Sequence, residues 1–131
     1  NVNVTTTSDG TIMGGSGGHA DTSAGAKLAI IVTQLANSRI SAIKDRVTTL
    51  TTPGETVDVI VTERGIAINP KRTELIERLK ETNLPIMTIE ELKNIGEAMT
   101  GKPREIEFTD EIVAVVEYRD GTVIDVVRKA K

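Results

Sequence analysis

The residues best suited to chemistry lie in one stretch, residues 8–21, which reads Ser-Asp-Gly-Thr-Ile-Met-Gly-Gly-Ser-Gly-Gly-His-Ala-Asp. Gly14, Gly15, Gly17 and Gly18 allow positive φ and bring amide groups against a ligand with no Cβ in the way. Such a loop binds by its N–H groups, which suit a phosphate, a carboxylate, or a carbonyl oxygen that gains negative charge during acyl transfer. Ser16 and His19 add polar side chains, and Asp21 can accept hydrogen bonds from the loop's own amides and make it rigid. The plain alternative is a flexible linker. Against it, the stretch lies between two well-patterned strands, and loops of that length inside a compact domain are usually functional or disordered.

Three tempting motifs fail on context. Gly15-Ser16-Gly17-Gly18-His19-Ala20 fits a loose dinucleotide fingerprint, but that fingerprint needs a long helix directly after it, and here an apolar strand is expected within one turn. Residues 96–102 have P-loop spacing, yet Pro103 replaces the magnesium-binding hydroxyl and the segment ends a helix. His19 is the only histidine; with Asp9 and Asp21 it makes a thin ligand set for zinc or iron, so no metal is expected. Elsewhere Glu55, Glu63, Arg64, Lys71 and Arg72 stand at strand or helix ends, where most charges are simply solvated. Arg64, Lys71 and Arg72 are the better anion-binding candidates, because ligands of open α/β sheets sit at the carboxyl ends of strands.

The elements that must position these residues follow from periodicity. Residues 1–6 alternate as a strand that feeds the loop. Asp21 or Thr22 could cap a single helical turn through Gly25. Residues 27–33, short, apolar and β-branched, read as an interior strand buried on both faces. Residues 40–48 read as a more exposed strand before the turn at Thr52-Pro53-Gly54. Residues 57–62 and 65–68 are two short strands. Asn69 and Pro70 suggest the cap and first turn of a helix to about residue 82, burying Leu75, Ile76 and Leu79. Residues 85–88 form a short strand, and Thr88-Ile89-Glu90-Glu91 spells a capping box for a helix that buries Leu92, Ile95, Gly96 and Met99 and ends at Gly101. Residues 111–118 and 122–127 flank Asp120-Gly121, expected as a two-residue type I′ hairpin loop. The fold class is α/β, an open mixed sheet with flanking helices.

At 131 residues the chain fits one domain, residues 1–131. A net charge of −3 and only Phe108 and Tyr118 to stack bases argue against a nucleic-acid surface. With no cysteine there is no disulfide framework or thiolate site, which sits easily with a cytoplasmic location. The longest apolar run, residues 28–32, is far short of the roughly 20 residues that span a bilayer, so no membrane partner is expected. The sequence opens on Asn1 directly into the alternation of Val2 and Val4, and so reads as cut from something longer.

Taken together, Ser16-Gly17-Gly18-His19-Ala20-Asp21, Asp58-Val59-Ile60-Val61-Thr62, Gly65-Ile66-Ala67-Ile68-Asn69-Pro70 and Ile106-Glu107-Phe108-Thr109-Asp110 make the chain resemble the C-terminal part of citrate lyase α subunits, the citrate CoA-transferases. A Gly-Gly-x-x-Asp loop leading to a buried strand, followed by an Asp-x-Ile-Val-Thr-Glu strand, is similar to the CoA-transferase superfamily at large. The resemblance implies a CoA-transferase-like domain of the NagB/RpiA type, part of a larger two-domain, oligomeric subunit. It implies that citrate displaces acetate from an acetyl thioester on the acyl carrier (gamma) subunit, giving a citryl thioester for the lyase (beta) subunit to cleave. The CoA-like prosthetic group belongs to the carrier, a CoA thioester can stand in for it, and nothing is bound covalently to this chain.

Carried across, Gly17 and Gly18 would face the thioester and Asp21 would brace the loop. Gly14, Gly15, Ser16, His19, Asn69 and Arg72 would contact substrate or CoA. Related enzymes attack the thioester with a glutamate in another segment. No such motif stands in this chain, so that residue lies upstream of Asn1 or is not used by this branch, and the 131 residues alone are expected to be inactive. The rival readings are a non-catalytic module that holds CoA or an acyl carrier, a subunit-docking domain, and a transferase for another carboxylic acid such as citramalate.

Overall fold

The computed structural model describes residues 4, 5, 7, 8, 11, 12, 17–37, 39–102 and 105–131. Of the sequence expectations, the strand over residues 1–6 lies largely outside these, as do Gly14, Gly15 and Ser16. At its start, Val4 bridges antiparallel to Thr52. Two short strands, β1 (Thr7–Ser8) and β2 (Thr11–Ile12), pair antiparallel, so part of the expected loop over residues 8–21 is strand.

The principal sheet has four strands in the order β3 (Ile30–Val32), β6 (Val59–Thr62), β7 (Gly65–Ile68), β8 (Ile86–Met87). β3 is parallel to β6, β6 antiparallel to β7, and β7 parallel to β8, which gives the expected open mixed sheet. The β6–β7 reversal is fixed by Thr62, whose hydroxyl accepts from the Arg64 and Gly65 amides and donates to the Gly65 carbonyl.

α3 (Ile89–Thr100) covers one face of the sheet. Its capping box is formed as expected: the Thr88 hydroxyl accepts from the Glu91 amide at 3.1 Å, and the Glu91 carboxylate accepts from the Thr88 amide at 2.7 Å. Leu92 joins Leu35, Ile43 and Ala67 in the core, with Met87, Ile89 and Ile95 packed around them. Gly96 is a close-approach glycine, because a Cβ there would collide with the hydroxyl of Ser41. Met99, expected inside, is 46 % exposed at the helix end.

Several elements differ from the sequence reading. α1 (His19–Gly25) is seven residues long and begins before Asp21, so neither Asp21 nor Thr22 caps it. α2 (Thr73–Leu79) starts at Thr73 with Arg72 at its N-cap position; Asn69 is not its cap, because the Asn69 side chain is drawn inward to other partners. Residues 40–48 contribute only β5 (Ile40–Ser41), paired with β4 (Ala36–Asn37), and Ser41 then bonds the Ile43 backbone in both directions and turns the chain.

Among the described residues β3 is an edge strand, with Ile30 51 % and Val32 76 % exposed, where the sequence predicts an interior one. Apolar composition reports a tendency to be buried, and the described residues do not supply the covering neighbours. The terminal hairpin of β9 (Phe108–Glu117) and β10 (Val123–Ala130) is antiparallel. Its turn has three residues instead of two: the Gly121 amide donates to the Tyr118 carbonyl, the Tyr118 amide donates to the Thr122 carbonyl, and Gly121 sits at φ +85°.

Candidate active site

The glycine stretch delivers its last two members to the start of α1. Gly17 takes φ +62°, in the left-handed region that a Cβ disfavours, whereas Gly18 sits at φ −93° as the N-cap residue. The Gly18 carbonyl accepts both the amide and the hydroxyl of Thr22, each at 2.9 Å, which closes the first turn. A helix start leaves its first amides without intrahelical partners, and a glycine at the N-cap supplies no side-chain oxygen to fill them. Among the described residues, a Cβ at Gly17 or Gly18 would meet nothing within 4 Å. Packing against the described residues therefore does not demand the two glycines, and these residues leave the space over them open to an approaching acceptor.

His19, the first residue of α1, is half-buried and its Nδ1 bonds the hydroxyl of Thr52. Thr52 is 1 % exposed and its backbone holds Val4. The histidine thus ties the loop and helix to a buried threonine just before the 3-10 turn Gly54–Thr56, which itself packs against α1. No periodicity or motif marked Thr52 as that partner. Asp21 stands in the first turn of α1, where a negative charge is favourable. Among the described residues its partner is Arg119, at 3.6 Å, with both side chains largely exposed; it links the helix to the terminal hairpin.

Below this lies a polar clamp. The Asp58 carboxylate accepts from the Ala29 amide at 2.8 Å and from Arg72 at 2.7 Å (Nε) and 3.0 Å (guanidinium NH2). Arg72 also donates to the Lys27 carbonyl. Asn69 is 7 % exposed; its amide donates to the Val57 carbonyl at 2.8 Å and its oxygen accepts from the Lys71 amide at 3.1 Å. Arg72 and Asn69 therefore lock the segment entering β3 to the segments entering β6 and leaving β7, and any contact they make with a substrate comes in addition to these bonds. They stand beside the amino ends of β3 and β6, the end where α1 runs into β3. Arg64 lies in the exposed β6–β7 turn at the other end. There the Glu63 carboxylate accepts from the Leu35 amide at 2.9 Å, and this bond holds its acid below the ordinary carboxylate range.

A cleft of about 470 Å³ opens on the α3 side of the sheet, walled by Ile31, Ile43 and Ile60, with Thr33, Glu90 and Lys93 among its polar lining. The Lys93 ammonium is bound to Asp45, which raises its pKa. The expected strand over residues 40–48 concealed this feature, because a regular strand would not curve around a cleft. Among the described residues no helix is long and apolar enough to cross a membrane.

Set against known proteins, the chain matches the family model described as citrate lyase, alpha subunit (CitF), over residues 1–130. It is 56 % identical over 131 residues to the citrate lyase alpha chain of Klebsiella pneumoniae and 56 % identical to that of Haemophilus influenzae, in each case covering 100 % of this chain and 26 % of the relative. The Escherichia coli citrate lyase alpha chain is 53 % identical over the same length. A crystal structure from Streptococcus mutans, described as the alpha subunit of citrate lyase in complex with citrate, superposes with a TM-score of 0.94 at 50 % identity, over 98 % of this chain and 26 % of that one. The chain spans about a quarter of the length of these relatives. With a family match over nearly every residue and identity above one half, this chain belongs to the citrate lyase alpha subunit family.

Proposed function

We propose that this chain is the part of a citrate CoA-transferase subunit that stabilises charge on the thioester during acyl exchange. In this reading citrate replaces acetate on an acetyl thioester, borne by the CoA-like group of an acyl carrier subunit or by CoA itself, and the citryl thioester passes to the lyase subunit. Citrate as the substrate is supported by the Streptococcus mutans relative, whose description names citrate as bound. The mixed sheet with flanking helices is compatible with a CoA-transferase-like domain of the NagB/RpiA type, within a larger oligomeric subunit.

The observation that carries the reading is the pairing of Gly17 and Gly18 at the start of α1, with open space where their side chains would be. In acyl exchange a carboxylate oxygen attacks the thioester carbon, the carbonyl electrons move onto its oxygen, and collapse breaks the carbon–sulfur bond to give an anhydride and a thiolate. The thiolate then attacks the citryl carbon of that anhydride, and cleavage of its carbon–oxygen bond releases acetate and leaves the citryl thioester. Backbone donors aimed at the thioester carbonyl oxygen are worth roughly 3 kcal/mol each. Gly14, Gly15 and Ser16 precede this pair in the sequence, and Asp21 braces the start of α1 through Arg119. One carboxylate enters and another leaves, so no net proton transfer is required, and His19 serves to position the loop through Thr52.

The test is Gly18→Val in the full-length subunit, assayed for citrate-dependent release of acetate from acetyl-CoA. Because Gly18 sits at negative φ, valine tests the space above the loop with little backbone strain. Turnover should fall about 100-fold or more, on the scale of a lost oxyanion donor, with thermal unfolding unchanged. Near-normal turnover in the folded variant would contradict the reading.

A further inference from the structure

We propose that the open side of β3 is an internal interface, paired in the full-length subunit with a further strand from the polypeptide outside these 131 residues. The proposal rests on the geometry of β3 and the length of the relatives, not on the transfer chemistry.

The Ala29 carbonyl accepts from the Val59 amide, and the Thr33 amide donates to the Val61 carbonyl. In a strand, alternate residues direct both backbone groups to the same side. Ala29, Ile31 and Thr33 therefore bond β6, and Ile30 and Val32 turn their N–H and C=O groups to the free edge. Among the described residues nothing pairs with that edge. Natural edge strands are blunted by charges, proline or bulges, and Leu28-Ala29-Ile30-Ile31-Val32 contains neither a charge nor a proline.

The side chains agree with the backbone. Leu28 is 44 %, Ile30 51 % and Val32 76 % exposed. Ile30 and Val32 continue the face of Val59 and Val61, their register partners on β6, beyond the edge of the sheet. Parallel strands in α/β proteins are normally covered on both faces. The chain is 26 % of the length of its relatives, so the longer subunit has ample polypeptide to supply a strand and its apolar cover. Since only residues 26–29 separate α1 from β3, a strand seated there runs beside the segment that leaves the C-terminal end of α1.

The experiment is hydrogen exchange at residue resolution on the full-length subunit. The Ile30 and Val32 amides should exchange at least about 100-fold more slowly than unprotected peptide, as is expected of Ile31 from its pairing with β6. Free exchange at Ile30 and Val32 beside a protected Ile31 would overturn the proposal. Protection that vanishes on dilution would also overturn it, by assigning the edge to a second copy of the subunit. Val32→Lys gives an independent reading: it should lower the unfolding midpoint of the full-length subunit by several degrees, and an unchanged midpoint would count against the interface.

Discussion

Gly17 and Gly18 are adjacent in sequence and separable in function. Gly17 holds φ +62°, so Gly17→Ala should destabilise the fold by roughly 1–2 kcal/mol, readable as a lower urea midpoint. Gly18 carries no such strain, and its replacement should act on turnover alone. His19→Ala removes the bond to Thr52 and leaves a buried hydroxyl without that partner, a cost of about 1–3 kcal/mol. Its effect on turnover should stay below the 100-fold or so typical of a lost general acid or base. A larger loss with intact folding would transfer the chemistry to the imidazole. Asp58→Ala should be the most damaging of the polar substitutions, roughly 2–3 kcal/mol, because it leaves the Ala29 amide without its acceptor and removes the ion pair of Arg72, which keeps only its bond to the Lys27 carbonyl. The comparison is an equilibrium unfolding series on the four variants.

At the scale of elements, what depends on neighbouring residues in sequence was legible. The capping box at Thr88, the strands β6 and β7 and the helical character of residues 73–79 and 89–100 all follow from local spacing. What depends on distant partners was not. Asn69 has the right type for a cap, but the Val57 carbonyl 12 residues away claims its amide. Ser41 ends β5 by bonding its own turn, and β3 was read as interior because composition reports apolarity and not which neighbours are present. In the candidate site, neither the beginning of α1 at His19 nor the His19–Thr52 bond has a local signal, because each depends on a partner distant in sequence. Two predictions belong here. Leu92 is fully buried in the core, so Leu92→Ala should cost about 2–5 kcal/mol by thermal or urea unfolding. The Thr88 bonds hold the Glu91 acid below its ordinary value, and the Leu35 amide does the same for Glu63. A carboxylate depressed in the folded state stabilises above its unfolded pKa and loses that contribution as pH falls through the folded value. Stability should therefore decline below the ordinary carboxylate range, and Glu91→Gln, which keeps a capping side chain, should flatten part of that decline in urea midpoints followed from neutral to acid pH.

For the whole molecule, the 131 residues supply the Gly17–Gly18 turn, α1 and the mixed sheet, and about three quarters of the length of the relatives lies outside them. The resemblance to CoA-transferases implies a glutamate nucleophile for which this chain carries no matching motif, and among the described residues β3 presents an unpaired apolar edge. Both point to a site completed by the rest of the subunit, so the 131-residue chain alone should show no transfer. The most direct measurement is the reaction itself: the full-length subunit incubated with acetyl-CoA and citrate, with acetate and thioester products quantified together. Acyl exchange predicts one citryl thioester for each acetate released. Acetate without citryl thioester, or no citrate-dependent release at all, would contradict it.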